Sequence, residues 1–323
     1  MNDNSMAIII LCSYLCIGEG IKPYDPAEWT KLAELLMSKK LVPSDLLSFS
    51  EEDLRQVLGF DTDEIQRIKA LVSRSGSIAF EIEKYSNMGI NIVTRADANY
   101  PIRLKTILGK SCPPLFYYAG DLSIADKRCV GFVGSRSIDE CDNRFAEDAV
   151  KKVLARGYSV VTGGAKGIDS VSSAAATNNG GYCVEYIADS MMKTVRNKDK
   201  INAIRNGQLL IFSVAKPDSG FNTGMAMMRN KYIYAQSDAT VVVRSDYKKG
   251  GTWSGACECL RHQLCPVLCW KKDEYQGNTE LIKAGAFPID ESWDGDVSAF
   301  KREDSSGSGE ADEPEYEQIS FFE

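Results

Sequence analysis

The stretch that decides the fold lies between residues 131 and 169, where two short apolar strands each end in a glycine-rich turn. The first reads Gly131-Phe132-Val133-Gly134-Ser135-Arg136, and the second reads Val161-Thr162-Gly163-Gly164-Ala165-Lys166-Gly167-Ile168-Asp169. Each turn carries one cation and precedes a helical pattern, so backbone N–H groups and a positive side chain meet at a helix start. This pattern predicts a site for a phosphate-bearing ligand.

From residue 129 onward, short apolar strands alternate strictly with amphipathic helices. No charge interrupts the strands apart from Glu185, which is typical of buried parallel strands. They are predicted at 130–134, 159–163, 182–187, 209–214, 239–244 and 266–270, and the helices at 143–156, 168–178, 199–206, 225–237 and 253–263. Such alternation predicts an α/β fold with a Rossmann-like, doubly wound, mostly parallel sheet. In such sheets ligands bind outside the carboxyl ends of the strands.

The regions on either side of this pattern differ from it in composition. Residues 1–80 are predicted to form a small helical domain, in which Ser50 and Asp53 have the form of a capping box. Its short helices resemble helix-hairpin-helix or sterile-alpha-motif units, with a plain helical cap as the alternative. Residues 81–300 would then form the Rossmann-like domain. Residues 301–323 hold eight acidic and two basic residues, which predicts a disordered acidic tail.

The charge and cysteine content restrict the function classes. The net charge is −7, and because the tail accounts for most of it, the rest of the chain is nearly neutral and can still carry a local basic surface. The ten cysteines lie mostly in apolar patterns, and the spacing of the four between 257 and 269 does not fit zinc. The apolar run 6–17 is too short to span a bilayer. We therefore expect a cytoplasmic protein without a metal and without membrane contact.

The two turns do not match the common nucleotide fingerprints. Neither strand is followed by G-x-G-x-x-G, and the second ends in Thr162 rather than in an acid that could hold a ribose. A Walker lysine followed by Ser or Thr is also absent. We therefore expect no nicotinamide or flavin cofactor and predict no catalytic residue, with Asp169 capping its helix or tying the loop.

Two further basic clusters follow later strands. One is Met228-Arg229-Asn230-Lys231, and the other is the glycine-rich helix start Lys248-Lys249-Gly250-Gly251-Thr252-Trp253. All the clusters would lie at the ligand-facing edge of one sheet. Several cations with an aromatic ring favour an extended phosphate chain, such as a nucleic-acid strand, over a single small anion.

Motifs in a fixed order across residues 100–290 carry a family resemblance. They are Tyr100-Pro101-x-x-Leu104, the run 113–122, the two turns, Arg229-Asn230-Lys231, the Gly251-Thr252 helix start and the run 277–286. With these motifs the chain resembles the DNA-processing protein A family, also called Smf. The resemblance implies an extended Rossmann fold that binds single-stranded DNA, often as a homodimer, and breaks no bond. It also implies that the protein protects DNA or loads a RecA-type recombinase in DNA uptake, recombination or repair.

The resemblance also implies a set of site residues. Those expected to bind the nucleic acid or to shape its pocket are Gly134, Ser135, Arg136, Gly163, Gly164, Lys166, Arg229, Asn230, Lys231, Gly251 and Thr252. The chain departs from the family pattern at Ser172-Ser173, where the family has Ala-His, and at Val214, where it has Glu. DNA binding is therefore expected to carry over better than recombinase loading.

The peptide Gln318-Ile319-Ser320-Phe321-Phe322 is similar to the short motif by which bacterial proteins dock on the replication sliding clamp. The alternative is a hydrophobic segment that packs back on the domain.

Two other functions remain open at this level. One is a Rossmann-like sensor or hydrolase of a nucleotide-derived small molecule, for example in phage defence, although the run 249–255 lacks the proline and glutamate of the P-G-G-x-G-T-x-x-E motif found in such hydrolases. The other is an interaction scaffold whose DNA site has decayed.

Overall fold

A computed structural model of the chain describes residues 2–300, in which a nine-stranded sheet follows five helices. The helices are α1 (Asp3–Cys12), α2 (Pro26–Ser38), α3 (Glu51–Leu58), α4 (Thr62–Val72) and α5 (Ser75–Ser86), with a 3-10 turn at Pro43–Leu47. Helix α1 is almost entirely buried, as the apolar run predicts. Ser50 and Asp53 form the predicted capping box at the start of α3. Within residues 2–300, no helix combines the length and the apolar character needed to cross a membrane.

The sheet is mostly parallel, with an antiparallel extension at one edge. Its strands are β1 (Asn91–Thr94), β2 (Leu115–Ala119), β3 (Cys129–Val133), β4 (Ser159–Thr162), β5 (Cys183–Tyr186), β6 (Leu209–Ser213), β7 (Ala239–Val242), β8 (Val267–Trp270) and β9 (Phe287–Ile289). They lie in the order β1-β2-β6-β5-β4-β3-β7-β8-β9, and only the β1–β2 and β2–β6 pairs are antiparallel. The chain leaves β3 in one direction and later returns to its other side at β7. The gap between the carboxyl ends of β3 and β7 is therefore the topological switch point, where such sheets bind ligands.

Helices connect the strands, and each face of the sheet has its own hydrophobic core. The helices are α6 (Ile102–Leu108), α7 (Glu140–Ala155), α8 (Ile168–Asn178), α9 (Met191–Thr194), α10 (Lys198–Arg205), α11 (Thr223–Gln236), α12 (Gly250–His262) and α13 (Gln276–Lys283). Alternate residues of each strand enter opposite cores: Val130 and Phe132 of β3 belong to one, Cys129 and Val133 to the other. Both cores therefore fix the central strands whose ends form the switch point.

The predicted fold class is confirmed, and the six predicted strands correspond to β3–β8. Strands β1, β2 and β9 were not predicted. The predicted domain boundary at residue 80 lies within α5, and one core joins residues of α1 to strands of the sheet, so the division into two domains stays a prediction. The acidic tail 301–323 and the peptide 318–322 lie outside the described residues.

Asn278 ties together the ends of two strands at the switch-point edge. Its buried amide accepts a hydrogen bond from the Ser245 N–H (2.8 Å) and donates to the carbonyls of Val243 (3.0 Å) and Trp270 (2.9 Å). These groups follow β7 or end β8. The amide therefore satisfies three buried backbone groups where the sheet opens toward its ligand edge.

We expect Asn278→Ala to lower the free energy of unfolding by about 3 kcal/mol, because it leaves buried backbone groups without partners. Urea denaturation followed by circular dichroism measures this loss. The control is Asn178→Ala, since Asn178 is exposed and makes no side-chain hydrogen bond to residues 2–300; it should change stability by no more than about 0.5 kcal/mol. Equal losses in the two variants would contradict this role of Asn278.

Candidate functional site

A cavity of about 590 Å³ opens at the switch point, between the turns after β3 and β4, one side of α11 and the first turn of α12. Most of the residues predicted for the site line it, and they come from separate parts of the chain. They are Gly134, Ser135, Arg136, Lys166, Arg229, Asn230, Gly251 and Thr252. The fold therefore brings the predicted clusters together in one place.

The turn after β3 is held from three sides by hydrogen bonds. The Ser135 N–H donates to the Arg244 carbonyl (2.9 Å), and the Thr252 hydroxyl donates to the Gly134 carbonyl (3.0 Å). The Ile168 N–H donates to the Ser135 carbonyl (3.3 Å). These bonds join the turn to the end of β7, to α12 and to α8, so its conformation is fixed before any ligand arrives.

Exposed cations and apolar side chains share the wall of the cavity. Arg136 and Lys166 are exposed, and the Arg136 guanidinium lies 5.1 Å from the centre of the Phe221 ring, within the range of a cation–π contact. Phe221 is 51% exposed and Met227 is 49% exposed. The site thus combines charges for phosphate with surfaces on which a base can stack.

Two helices begin at this cavity without a side-chain cap. Helix α8 has Gly167 at its N-cap position and α12 has Lys249, and neither residue's side chain binds the first N–H groups. Apart from the Ile168 N–H of α8, which binds the Ser135 carbonyl, these first N–H groups and the helix dipoles favour an anion. Asn230 also helps to place α12, because its side-chain amide donates to the Gly251 carbonyl (3.0 Å).

The turn after β4 is packed tightly against a buried arginine. A Cβ at Gly163 would lie 1.0 Å from Nη1 of Arg229, and Arg229 is only 7% exposed. The same Nη1 lies 3.3 Å from Oδ2 of Asp169. The lack of a side chain at Gly163 therefore serves the close approach of Arg229 from inside the protein.

A second buried charged pair lies under the next residue of the turn. Gly164 has a positive φ of +65°, and a Cβ there would lie 2.9 Å from Oε2 of Glu185. Glu185 is fully buried and its other oxygen pairs with Lys200. Both glycines are therefore required by internal packing and by the backbone conformation.

Three predicted site residues do not line the cavity. Gly163 and Gly164 face the two buried pairs, and Lys231 is bound to Glu258 (2.9 Å) across α11 and α12. Their roles in binding stay predictions, with a positioning role favoured by these contacts. Asp169 ties the loop by accepting from the Ala165 N–H (3.4 Å), and it does not cap α8 because Gly167 holds that position. Burial raises the pKa of the Asp169 carboxyl, while Arg229 opposes the rise.

Sequence reasoning missed several lining residues. Phe221 and Met227 come from the segment before and inside α11, where the pattern marks only a loop and a helix face. Arg244 follows β7 and is held by Asp142 (3.0 Å), a fully buried carboxylate on α7. The one usable signal was the position of Arg244 just after β7, whereas nothing local indicates Phe221 or Met227.

Fold and site together define a Rossmann-like protein with a cavity at the switch point of its sheet, lined in part by exposed cations. The family model for DNA recombination-mediator protein A matches residues 91–295, which is more than half of the chain. The chain belongs to this family, so the predicted family is confirmed. Membership also confirms the predicted role in DNA processing during recombination, and it does not favour a small-molecule sensor or hydrolase.

Individual relatives agree with this assignment. The chain is 27% identical over 211 residues to DNA processing protein DprA of Bacillus subtilis, covering 64% of this chain and 70% of that protein. It is 25% identical over 209 residues to Protein Smf of Synechocystis, covering 61% of this chain and half of that protein.

Solved structures show the same fold. DNA processing protein A from Streptococcus pneumoniae is similar with a TM-score of 0.69 at 17% identity, covering 90% of this chain and 95% of that chain. DNA processing protein A from Helicobacter pylori is similar with a TM-score of 0.51 at 22% identity, covering 62% and 90%.

We expect Gly163→Ala to lower the free energy of unfolding by about 3 kcal/mol or more, because the new methyl group must displace a buried, paired arginine. Urea denaturation measures the loss. Gly76→Ala is the matched control, since nothing lies within 4 Å of a Cβ at Gly76 on α5; it should raise stability by up to about 1 kcal/mol. A Gly163→Ala protein as stable as the parent would show that Arg229 is not closely packed there.

Proposed function

We propose that the chain binds single-stranded DNA in the switch-point cavity, without breaking a bond in it. The observation that carries the proposal is the pair of exposed cations Arg136 and Lys166, which form no ion pair with any residue between 2 and 300. They lie beside two helix N-termini that no side chain caps. Unpaired cations together with uncapped N–H groups are suited to the phosphates of a nucleic-acid backbone.

The apolar part of the wall supports a single strand over a duplex. Phe221 and Met227 present exposed apolar surface next to the cations, and an unpaired base has a face that can stack on such a surface. In a duplex the bases are already stacked on one another. The similar Helicobacter pylori protein is described as having a single-stranded DNA-binding mode, which agrees with this proposal.

The residues divide into two groups with different roles. Arg136 and Lys166 contact phosphates, with the Ser135 hydroxyl and the N–H groups of Gly251 and Thr252 as additional donors. The other group, consisting of Gly163, Gly164, Arg229, Asn230 and Lys231, positions the turns and helices that present those donors.

The finer parts of the function rest on the family. We propose that the bound strand is protected or passed to a RecA-type recombinase, that the protein acts as a homodimer, and that it works in the cytoplasm. Conversion of a nucleotide-derived small molecule is the alternative. Incubation with nucleoside monophosphates tests it, because turnover would establish an enzyme.

We expect Arg136→Ala with Lys166→Ala to weaken binding of a single-stranded oligonucleotide by about 100-fold at low salt, because two hydrogen bonds between charged groups are lost. The plot of log affinity against log salt should become shallower by about 1.4, since two fewer counterions are released. Fluorescence anisotropy across a salt series measures both quantities.

The matched control is Lys31→Ala with Arg55→Ala. Both residues are exposed on helices far along the chain from the cavity residues, and neither is ion-paired within residues 2–300. This control removes the same charge and should leave affinity and slope close to those of the parent. If the two double variants bind DNA alike, the cavity is not the DNA site.

For the peptide 318–322, we propose docking on the replication sliding clamp. Deletion of residues 318–323 should abolish clamp binding in a pull-down with purified clamp, because the apolar side chains that would dock on the clamp are removed. Oligonucleotide affinity should be unchanged and serves as the control. Equal clamp binding with and without the peptide would reject this role.

A further inference from the structure

A second group of exposed cations lies on the same edge of the sheet, outside the cavity. Arg196 lies between α9 and α10, and Lys198 is the first residue of α10. Both side chains are exposed and form no ion pair with any residue between 2 and 300. Neither lines the cavity, so the site described above makes no use of them. We call these two residues the basic extension.

The start of α10 lies close to the glycine turn that carries Lys166, with the side chain of Glu185 between them. Lys200, in the first turn of α10, pairs with one oxygen of the buried Glu185. The other oxygen of Glu185 lies 2.9 Å from the Cβ position of Gly164, two residues before Lys166. One buried carboxylate thus connects the two segments, which places the basic extension beside the turn.

The sheet topology independently indicates that the basic extension lies beside Lys166. Lys166 follows β4, and the segment with Arg196 and Lys198 follows β5, which pairs with β4 in parallel. Carboxyl ends of neighbouring parallel strands lie about 4.8 Å apart at the same edge. Along that edge the order of cations is Lys249 after β7, Arg136 after β3, Lys166 after β4, and then the basic extension after β5.

The connection that carries the basic extension is held in place at its start. The Ser190 hydroxyl and the Met192 N–H both donate to the Pro217 carbonyl, each at 3.0 Å. Asn197 caps α10 by accepting from the N–H groups of Asp199 and Lys200. The cations are therefore presented from an ordered connection.

The acidic residues nearby do not cancel this charge. Between residues 189 and 200 there are four cations and two acids, Asp189 and Asp199. Asp189 accepts a hydrogen bond from the Ser190 N–H (2.7 Å), and Lys200 forms an ion pair with Glu185. Three exposed cations, Lys193, Arg196 and Lys198, therefore remain against the two acids, and the last two lie nearest the start of α10.

We propose that a single DNA strand leaves the cavity past Lys166 and crosses the sheet edge to the basic extension, where Arg196 and Lys198 contact further phosphates. This inference rests on the proposed function of the cavity. It assigns the strand a direction across the edge, from β7 and β3 toward β5. It also makes the affinity for an oligonucleotide depend on the length of that oligonucleotide, because only one longer than the cavity reaches the basic extension.

The test compares the double variant Arg196→Ala, Lys198→Ala with the parent. Fluorescence anisotropy measures the binding of oligothymidylates of about 4 and about 16 nucleotides. The longer one should bind the variant about tenfold more weakly at low salt, with a salt slope about 1.4 shallower. The shorter one should bind variant and parent alike. Both side chains are exposed, and circular dichroism should confirm unchanged folding.

The Lys31→Ala, Arg55→Ala variant again controls for loss of two charges and should bind both lengths as the parent does. If the basic-extension variant loses no affinity for the longer oligonucleotide, the strand does not take this direction. Equal weakening with both lengths, or with the Lys31, Arg55 control, would also overturn the inference, since it indicates a general charge effect. If the parent binds neither oligonucleotide, the proposed function of the cavity fails instead.

Discussion

The packing of Arg229 against Gly163 is the constraint on which the site depends. A guanidinium that lies where a Cβ would be can exist there only because residue 163 has none. A buried cation is stable only when it is paired, and Asp169 supplies the carboxylate from the first turn of α8. One contact therefore joins β4, α8 and α11, and it fixes the turn from which Lys166 projects.

This arrangement separates charges that hold the protein together from charges that face a ligand. Arg229 and Lys200 are neutralised by buried carboxylates and support the two glycines from within. Arg136 projects from the turn after β3 and Lys166 from the turn after β4, and both are exposed. A chain of net charge −7 can thus present a basic cavity, because what a polyanion meets is the local field at the sheet edge.

The parallel part of the sheet and the position of the candidate site could be predicted from the sequence, because uncharged strands and glycine-rich turns leave clear patterns. It was not sufficient for β1, β2 and β9, which lie at or next to the edges of the sheet and are three to five residues long. The resemblance implies that Gly163 and Gly164 bind the nucleic acid or shape its pocket, but it does not indicate that they make room for Arg229 and Glu185. Contacts between residues that are distant in the chain leave no local pattern.

The departures from the family pattern bear on whether the site has decayed. Ser172 and Ser173 are buried on α8, the helix that packs against α7, and neither lines the cavity. Val214, directly after β6, is half-buried against one of the two hydrophobic cores and does not line the cavity. These positions affect packing behind the turns. None of them contributes to the exposed cations Arg136 and Lys166 in the cavity, which weighs against a decayed scaffold.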